Sequence, residues 1–173
     1  MKNMFNFISN SDLLTEEYFM DESLDRIDYK LLRLLQQDGR ISNADLAQQV
    51  NISAATCHRR VDRLFKKGII HSVRALVEPS AIQLGSLVIV GVVLDRSTPE
   101  SFAEFEQAVT LLPVIIDCQL VAGEFDYFLR IRVKDMADFN QLHASQLLAL
   151  PGVRQIRTFF VMKEVVENAP LTF

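Results

Sequence analysis

The chain has only two cysteines in 173 residues, Cys57 and Cys118. They lie far apart, so no disulfide framework is expected and a reducing cytoplasm fits. Long apolar runs are missing too. None reaches the roughly 18 residues of a membrane helix. The opening MKNMFNFISNSDLL lacks the apolar centre and small-residue cleavage site of a signal peptide. No G-x-S-x-G, P-loop or G-x-G-x-x-G occurs, which removes the sequence signs of nucleophilic or nucleotide chemistry. Cys57, Cys118 and the three histidines, His58, His71 and His143, show no C-x2-C or H-x3-H spacing. No catalytic residue, metal or cofactor is expected, and an enzyme is not the expected reading.

What is present is a globular composition, 49% hydrophobic and 23% charged, with a net charge of −4. The charge is unevenly placed. Residues 25–78 carry ten Lys/Arg against six Asp/Glu, whereas residues 1–24 and 79–173 each sum to −4. A basic segment inside an acidic chain is the footprint of a nucleic-acid contact.

That basic segment contains NADLAQQVNISAATCHRRVDRL, residues 43–64. Leu46, Ala47 and Val50 make a short apolar face. Asn51 tolerates the left-handed backbone of a sharp turn, Ile52 follows as a plug, and Ser53 is a good N-cap. Cys57, Val61, Leu64 and Phe65 then share one helix side, with Arg59, Arg63 and Lys66 opposite. This is a helix-turn-helix pattern; an ordinary helical hairpin with a solvated charged face is the blander account. Ser53, Ala54, Ala55 and Thr56 form a first turn small enough to approach DNA closely. Thr56 and His58 can hydrogen-bond, and Arg59 and Arg63 can reach guanine edges or phosphates. Cys57, on the apolar side, reads as core.

Three helices are expected in a row, over 25–37, 43–50 and 54–66. The first is marked by the stripe Leu24, Ile27, Leu31, Leu34 and Leu35, with Asp25 and Asp28 in its first turn. Residues 1–23 show no period and are read as a flexible tail. Ile69–Glu78 has strand character and is expected to form a small β wing, which closes a DNA-binding domain over 24–78. Residues 79–85 read as a linker.

Residues 86–173 alternate between strand and helix patterns in the order βαββαβ, a ferredoxin-like arrangement. Strands are expected over 87–94, 114–121, 126–133 and 153–162, with Cys118 buried. The fold class is therefore α+β. Two helices cover one face of a four-stranded sheet, yet Leu87–Leu94 is apolar on both faces and Phe159, Phe160 and Val161 are consecutive. The second face is expected to be covered, most simply by a second copy of the chain, otherwise by the helical domain.

Gly123-Glu124-Phe125-Asp126-Tyr127 sits at a hairpin turn. Backbone N–H groups beside a carboxylate complement the two charged ends of a free α-amino acid. A plain hairpin with turn-typical residues accounts for the same stretch.

Over residues 24–167 the chain resembles the leucine-responsive regulator/AsnC family, the bacterial feast/famine transcription factors. The words that carry it are LDRIDYKLLRLLQQDGRISNADLAQQV, RRVDRL, GII, LVAGEFDYFLRIRVKDM and LPGVRQIRTFFVMKEV. The family's usual S-P-T-P-C reads Ser53-Ala54-Ala55-Thr56-Cys57 here, without either proline. The resemblance implies an N-terminal winged helix-turn-helix and a C-terminal ferredoxin-like effector domain. It implies dimers that assemble further, often to octamers, with amino acids bound between dimers. DNA-reading residues then fall within Asn43–Asp62. Effector-response positions fall on Leu120, Asp126, Met136, Phe159, Phe160 and Val161, with Gly123 in the turn. Leu120, Met136 and Phe160 would suit an apolar amino acid such as leucine or methionine. The expected partners are double-stranded DNA, further copies of the chain and a free amino acid, with no membrane. The competing functions are an effector-free architectural DNA-binding protein and an amino-acid-binding regulatory subunit of an enzyme.

Overall fold

The structure, a computed structural model, describes residues 24–173. The tail expected over residues 1–23 lies outside the described residues. They form two compact units, one ending at Ala75 and taking in Asn168–Phe173, the other Leu76–Glu167.

The first unit is built on α1 (Arg26–Gln37), α2 (Asn43–Gln49) and α3 (Ala54–Lys66). Helix α1 begins where Asp25 caps it. The Asp25 carboxylate accepts the N–H groups of Ile27 and Asp28 at 2.8 and 2.9 Å, and the Asp28 carboxylate accepts the Asp25 N–H at 3.2 Å. The reciprocal pair satisfies donors the helix itself cannot reach. The N–H of Asp28, helped by the Arg60 guanidinium and the Ile27 N–H, holds the Asp25 carboxyl below its ordinary range against the opposing effect of desolvation. The expected stripe on α1 closes over a core of Leu31, Leu46, Ala47, Val50, Cys57 and Leu64. Cys57 is core as expected, and burial pushes its thiol up.

The strand expected over Ile69–Glu78 does not form. Among the described residues the first unit contains no other strand, so an extended segment there has no ladder to join. It is pinned instead at Val73: a Cβ on Gly39 would come within 2.7 Å of the Val73 Cγ1. Val73 therefore lies directly on the turn between α1 and α2.

The second unit opens with a short 3-10 turn, Pro79–Ile82, within the stretch read as linker. It then runs β1 (Ser86–Leu94), α4 (Pro99–Thr110), β2 (Ile115–Leu120), β3 (Tyr127–Val133), α5 (Met136–Ser145) and β4 (Val153–Phe160). This is the expected βαββαβ order. The sheet is antiparallel in the order β2-β3-β1-β4. Helix α5 ends at Ser145, after which Leu147–Ala149 tighten into a 3-10 turn that buries Leu147. One sheet face meets both helices: Val88, Val90, Val92, Leu94, Tyr127, Leu129, Ile131 and Val133 close on Phe105, Val109, Phe139 and Leu142. Cys118 is exposed, contrary to expectation. It lies on β2, an edge strand whose outer margin has no neighbour among the described residues.

The other sheet face is only half apolar. Phe125 turns back from the β2–β3 connection onto Gly91, beside Phe128 and Phe159 at ring separations of 5.2 and 6.3 Å. Around this cluster stand ion pairs: Arg130 with Asp117 at 2.7 Å, Arg132 with Glu164 at 2.6 Å, and Arg157 with Glu124 at 2.6 Å. The continuous apolar face inferred from Leu87–Leu94 is thus divided, because β2, β3 and β4 present charged residues beside it.

Gly91 is required by that arrangement. A Cβ there would stand 2.7 Å from two ring carbons of Phe125. Gly91→Ala is expected to displace Phe125 and lower stability by about 1–3 kcal/mol, the usual range for overfilling a close-packed site. A thermal unfolding midpoint equal to that of the unmodified chain would show that the ring has room to tilt away.

Candidate nucleic-acid interface and effector site

The turn between α2 and α3 follows the sequence closely. Asn51 takes the left-handed conformation at φ 55°. Ser53 caps α3: its hydroxyl accepts the Thr56 N–H at 3.2 Å and donates to the Thr56 hydroxyl at 2.9 Å. The Asn43 amide donates to the Ala54 carbonyl at 2.9 Å. Asn43, Ser53 and Thr56 therefore fix the start of α3, each through at least one of its polar atoms.

Beyond that start, Ala54, Ala55, His58 and Arg59 are exposed on one edge of α3. Lys66 lies further along at 75% side-chain exposure and pairs with Asp62 at 2.7 Å. Arg59 forms no ion pair among the described residues and projects from the edge opposite Cys57 and Leu64, both fully buried. An edge of small residues, one imidazole and one guanidinium can come close to a groove and hydrogen-bond to base edges or phosphates.

Arg63 is turned toward α1. Its Nη2 meets the Asp28 Oδ2 at 2.5 Å, and Arg60, not among the expected site residues, meets Asp28 at 3.0 Å and Asp25 at 2.7 Å. Asp28 is fully buried on α1. A buried carboxylate has to be matched by donors, and here these guanidiniums on α3 supply them. The signal was available in the sequence: Asp28 stands one turn before Leu31, on the apolar stripe, where an acid needs a partner.

The effector positions divide into groups. Asp126 stands at one end of the sheet. Its N–H donates to the Val92 carbonyl at 2.9 Å, its carbonyl accepts the Val121 N–H at 2.9 Å, and its Oδ2 accepts the Leu94 N–H at 2.8 Å. That last bond serves a backbone donor beside the irregularity at Val93/Leu94, where the β1–β4 register shifts. Leu120, paired with Tyr127 and 58% exposed, lies at the same end, and Gly123 is in the connecting turn. Met136, 54% exposed, begins α5 after the far end of β3. Phe160 pairs with Val88, and the Val161 N–H donates to the Leu87 carbonyl. Alternation along β4 sends Phe160 to the helix-covered face, 5.3 Å from the Phe139 ring, and Phe159 to the opposite face beside Phe125.

Register measures the separation. Leu120 aligns through Tyr127 and Val92 with Ile156, four residues before Phe160 on the opposite edge strand. That is about 14 Å across the strands and about 13 Å along them. Leu120 and Phe160 therefore stand at opposite ends and on opposite edge strands of the sheet within one chain.

Comparison with known proteins agrees with this division into two kinds of unit. Residues 24–71 match a model described as winged helix-turn-helix DNA-binding, and residues 87–171 match the Lrp/AsnC ligand binding domain. The chain is 46% identical over 148 residues to the leucine-responsive regulatory protein of Haemophilus influenzae, covering 86% of this chain and 89% of that protein. It is 44% identical over 147 residues to the protein of the same name in Escherichia coli K12, covering 85% and 90%. Among solved structures, a transcriptional regulator from Neisseria meningitidis in complex with L-Met aligns with a TM-score of 0.81 at 31% identity, over 87% of this chain and 97% of that one. An AsnC family transcriptional regulator from Agrobacterium tumefaciens aligns with a TM-score of 0.80 at 28% identity, over 86% and 97%. With both units matched in order along the chain, and with a helix-turn-helix whose exposed edge is built to meet DNA, the chain belongs to the Lrp/AsnC family of DNA-binding transcriptional regulators.

Proposed function

We propose that the chain is a sequence-specific regulator whose DNA affinity or assembly is tuned by an apolar free amino acid, such as leucine or methionine, bound where chains meet. The observation that carries this is the split between Leu120, Gly123 and Asp126 at one sheet end and Met136, Phe160 and Val161 at the other. If all of these positions answer one small ligand, more than one chain contributes to its site. The L-Met complex of the Neisseria meningitidis relative supports an amino acid as that ligand. Homodimers that assemble further, up to an octamer, would bring the two sheet ends together, and the half-apolar face around Phe125, Phe128 and Phe159 supports pairing of chains. Double-stranded DNA is met by Ala54, Ala55, His58 and Arg59, and the setting is the cytoplasm.

One observation favours a second reading. The Asp126 Oδ2 already accepts the Leu94 N–H, as a purely structural turn residue would, and an architectural DNA-binding protein without an effector needs no more. Calorimetric titration of the full chain with leucine and methionine, paired with light scattering, decides between them. Heat of binding together with a ligand-dependent change in assembly or DNA affinity supports regulation; no heat with any amino acid supports the architectural reading.

A further inference from the structure

Asp28 is fully buried, and its neighbours along the stripe are apolar: Ile27 and Leu31 on α1, with Leu24 just before it, belong to the same core. An apolar residue at this position would continue the stripe, and well-packed apolar replacements of buried ion pairs are often as stable or more so. Stability alone therefore does not account for a carboxylate here. What the carboxylate does is hold Arg63 and, together with Asp25, Arg60; the two arginines lie one turn apart on α3. Two anchors separated along a helix set both its rotation and its axial position. They also turn two guanidiniums of the DNA-reading helix toward α1. Each guanidinium left on the outer surface would add a phosphate contact that carries no sequence information.

We propose that Asp28 is a positioning residue for DNA recognition: it draws Arg60 and Arg63 away from phosphate and sets the orientation in which His58 and Arg59 meet base edges. The proposal rests on α3 being the reading helix. Loss of specific binding in Arg59→Ala tests that premise separately.

The test uses the full chain, a duplex selected from a random pool against it, and an unselected duplex of equal length, with affinities measured across a salt series. Asp28→Asn is expected to strengthen binding to unselected DNA, to steepen the salt slope by about one unit, and to lower the ratio of selected to unselected affinity about tenfold. A merely structural role predicts a lower unfolding temperature with slope and ratio unchanged in the folded protein, and that result overturns the proposal. Arg63→Gln keeps Arg60 on Asp28 and provides the check if Asp28→Asn does not fold. Its salt slope is expected to equal that of the unmodified chain, because the group it removes does not touch phosphate. A slope shallower by about one unit would place Arg63 on the DNA and overturn the proposal equally.

Discussion

Arg59→Ala is expected to remove most of the preference for operator over random DNA while leaving the unfolding curve where it was. Arg59 stands on the exposed edge of α3 and forms no ion pair among the described residues, so truncation exposes no buried charge and opens no cavity. If its guanidinium meets a guanine edge, the loss is about 1–3 kcal/mol at one base position; if it meets phosphate, all sequences weaken and the salt slope falls by about one unit. Arg63→Ala, by contrast, should lower stability. It leaves the buried Asp28 with Arg60 but without its nearer partner. The expected cost is about 2 kcal/mol of stability, within the range for a hydrogen bond to a charged group. Mobility shifts with selected DNA and thermal denaturation, run on both variants, separate the roles. A destabilised Arg59→Ala, or an Arg63→Ala that denatures normally but no longer binds, would reverse the assignment.

This pair also marks what the sequence could and could not disclose. Caps, turns and helix periods are local, so Asp25, Asn51 and Ser53 stand where their residue types place them. The βαββαβ order follows equally from alternation and from the breaks at Thr98-Pro99 and Pro151-Gly152. Helical periodicity, however, gives the direction of a side chain only to within a sector. Arg59 and Arg63 share a sector, and only the approach of α1 decides that Arg63 meets Asp28. The strand expected over Ile69–Glu78 is absent for a related reason: the segment has the composition of a strand, but a strand exists only with a partner. The effector positions could be named from resemblance, whereas their separation to opposite ends of the sheet depends on register between strands. Cys118 alternates with core positions, and only the strand order reveals that β2 is an edge.

The other large effect is expected at Asp126, where one carboxylate is proposed to do two things. Its Oδ2 accepts the Leu94 N–H at 2.8 Å, and the ammonium of an amino-acid ligand would need the charge on the same group. Asparagine and alanine separate these. In Asp126→Asn the amide oxygen can still accept the Leu94 N–H, so the sheet end is preserved while the charge is lost. Where a desolvated ammonium has lost its counter-charge, binding weakens by several kcal/mol. Asp126→Ala loses the acceptor as well, leaving the Leu94 N–H without its partner, and is expected to lose a further 1–3 kcal/mol or so of stability. Both variants should bind DNA normally without ligand, since Asp126 lies in the second unit and α3 in the first. Titration with leucine and methionine, read beside thermal denaturation, gives a distinct pattern for each account. A direct ligand contact predicts that Asp126→Asn keeps its unfolding temperature and loses its heat of binding. A structural turn residue predicts that Asp126→Ala unfolds early and that Asp126→Asn binds the amino acid as the unmodified chain does; equal affinities in that comparison would remove Asp126 from the effector site.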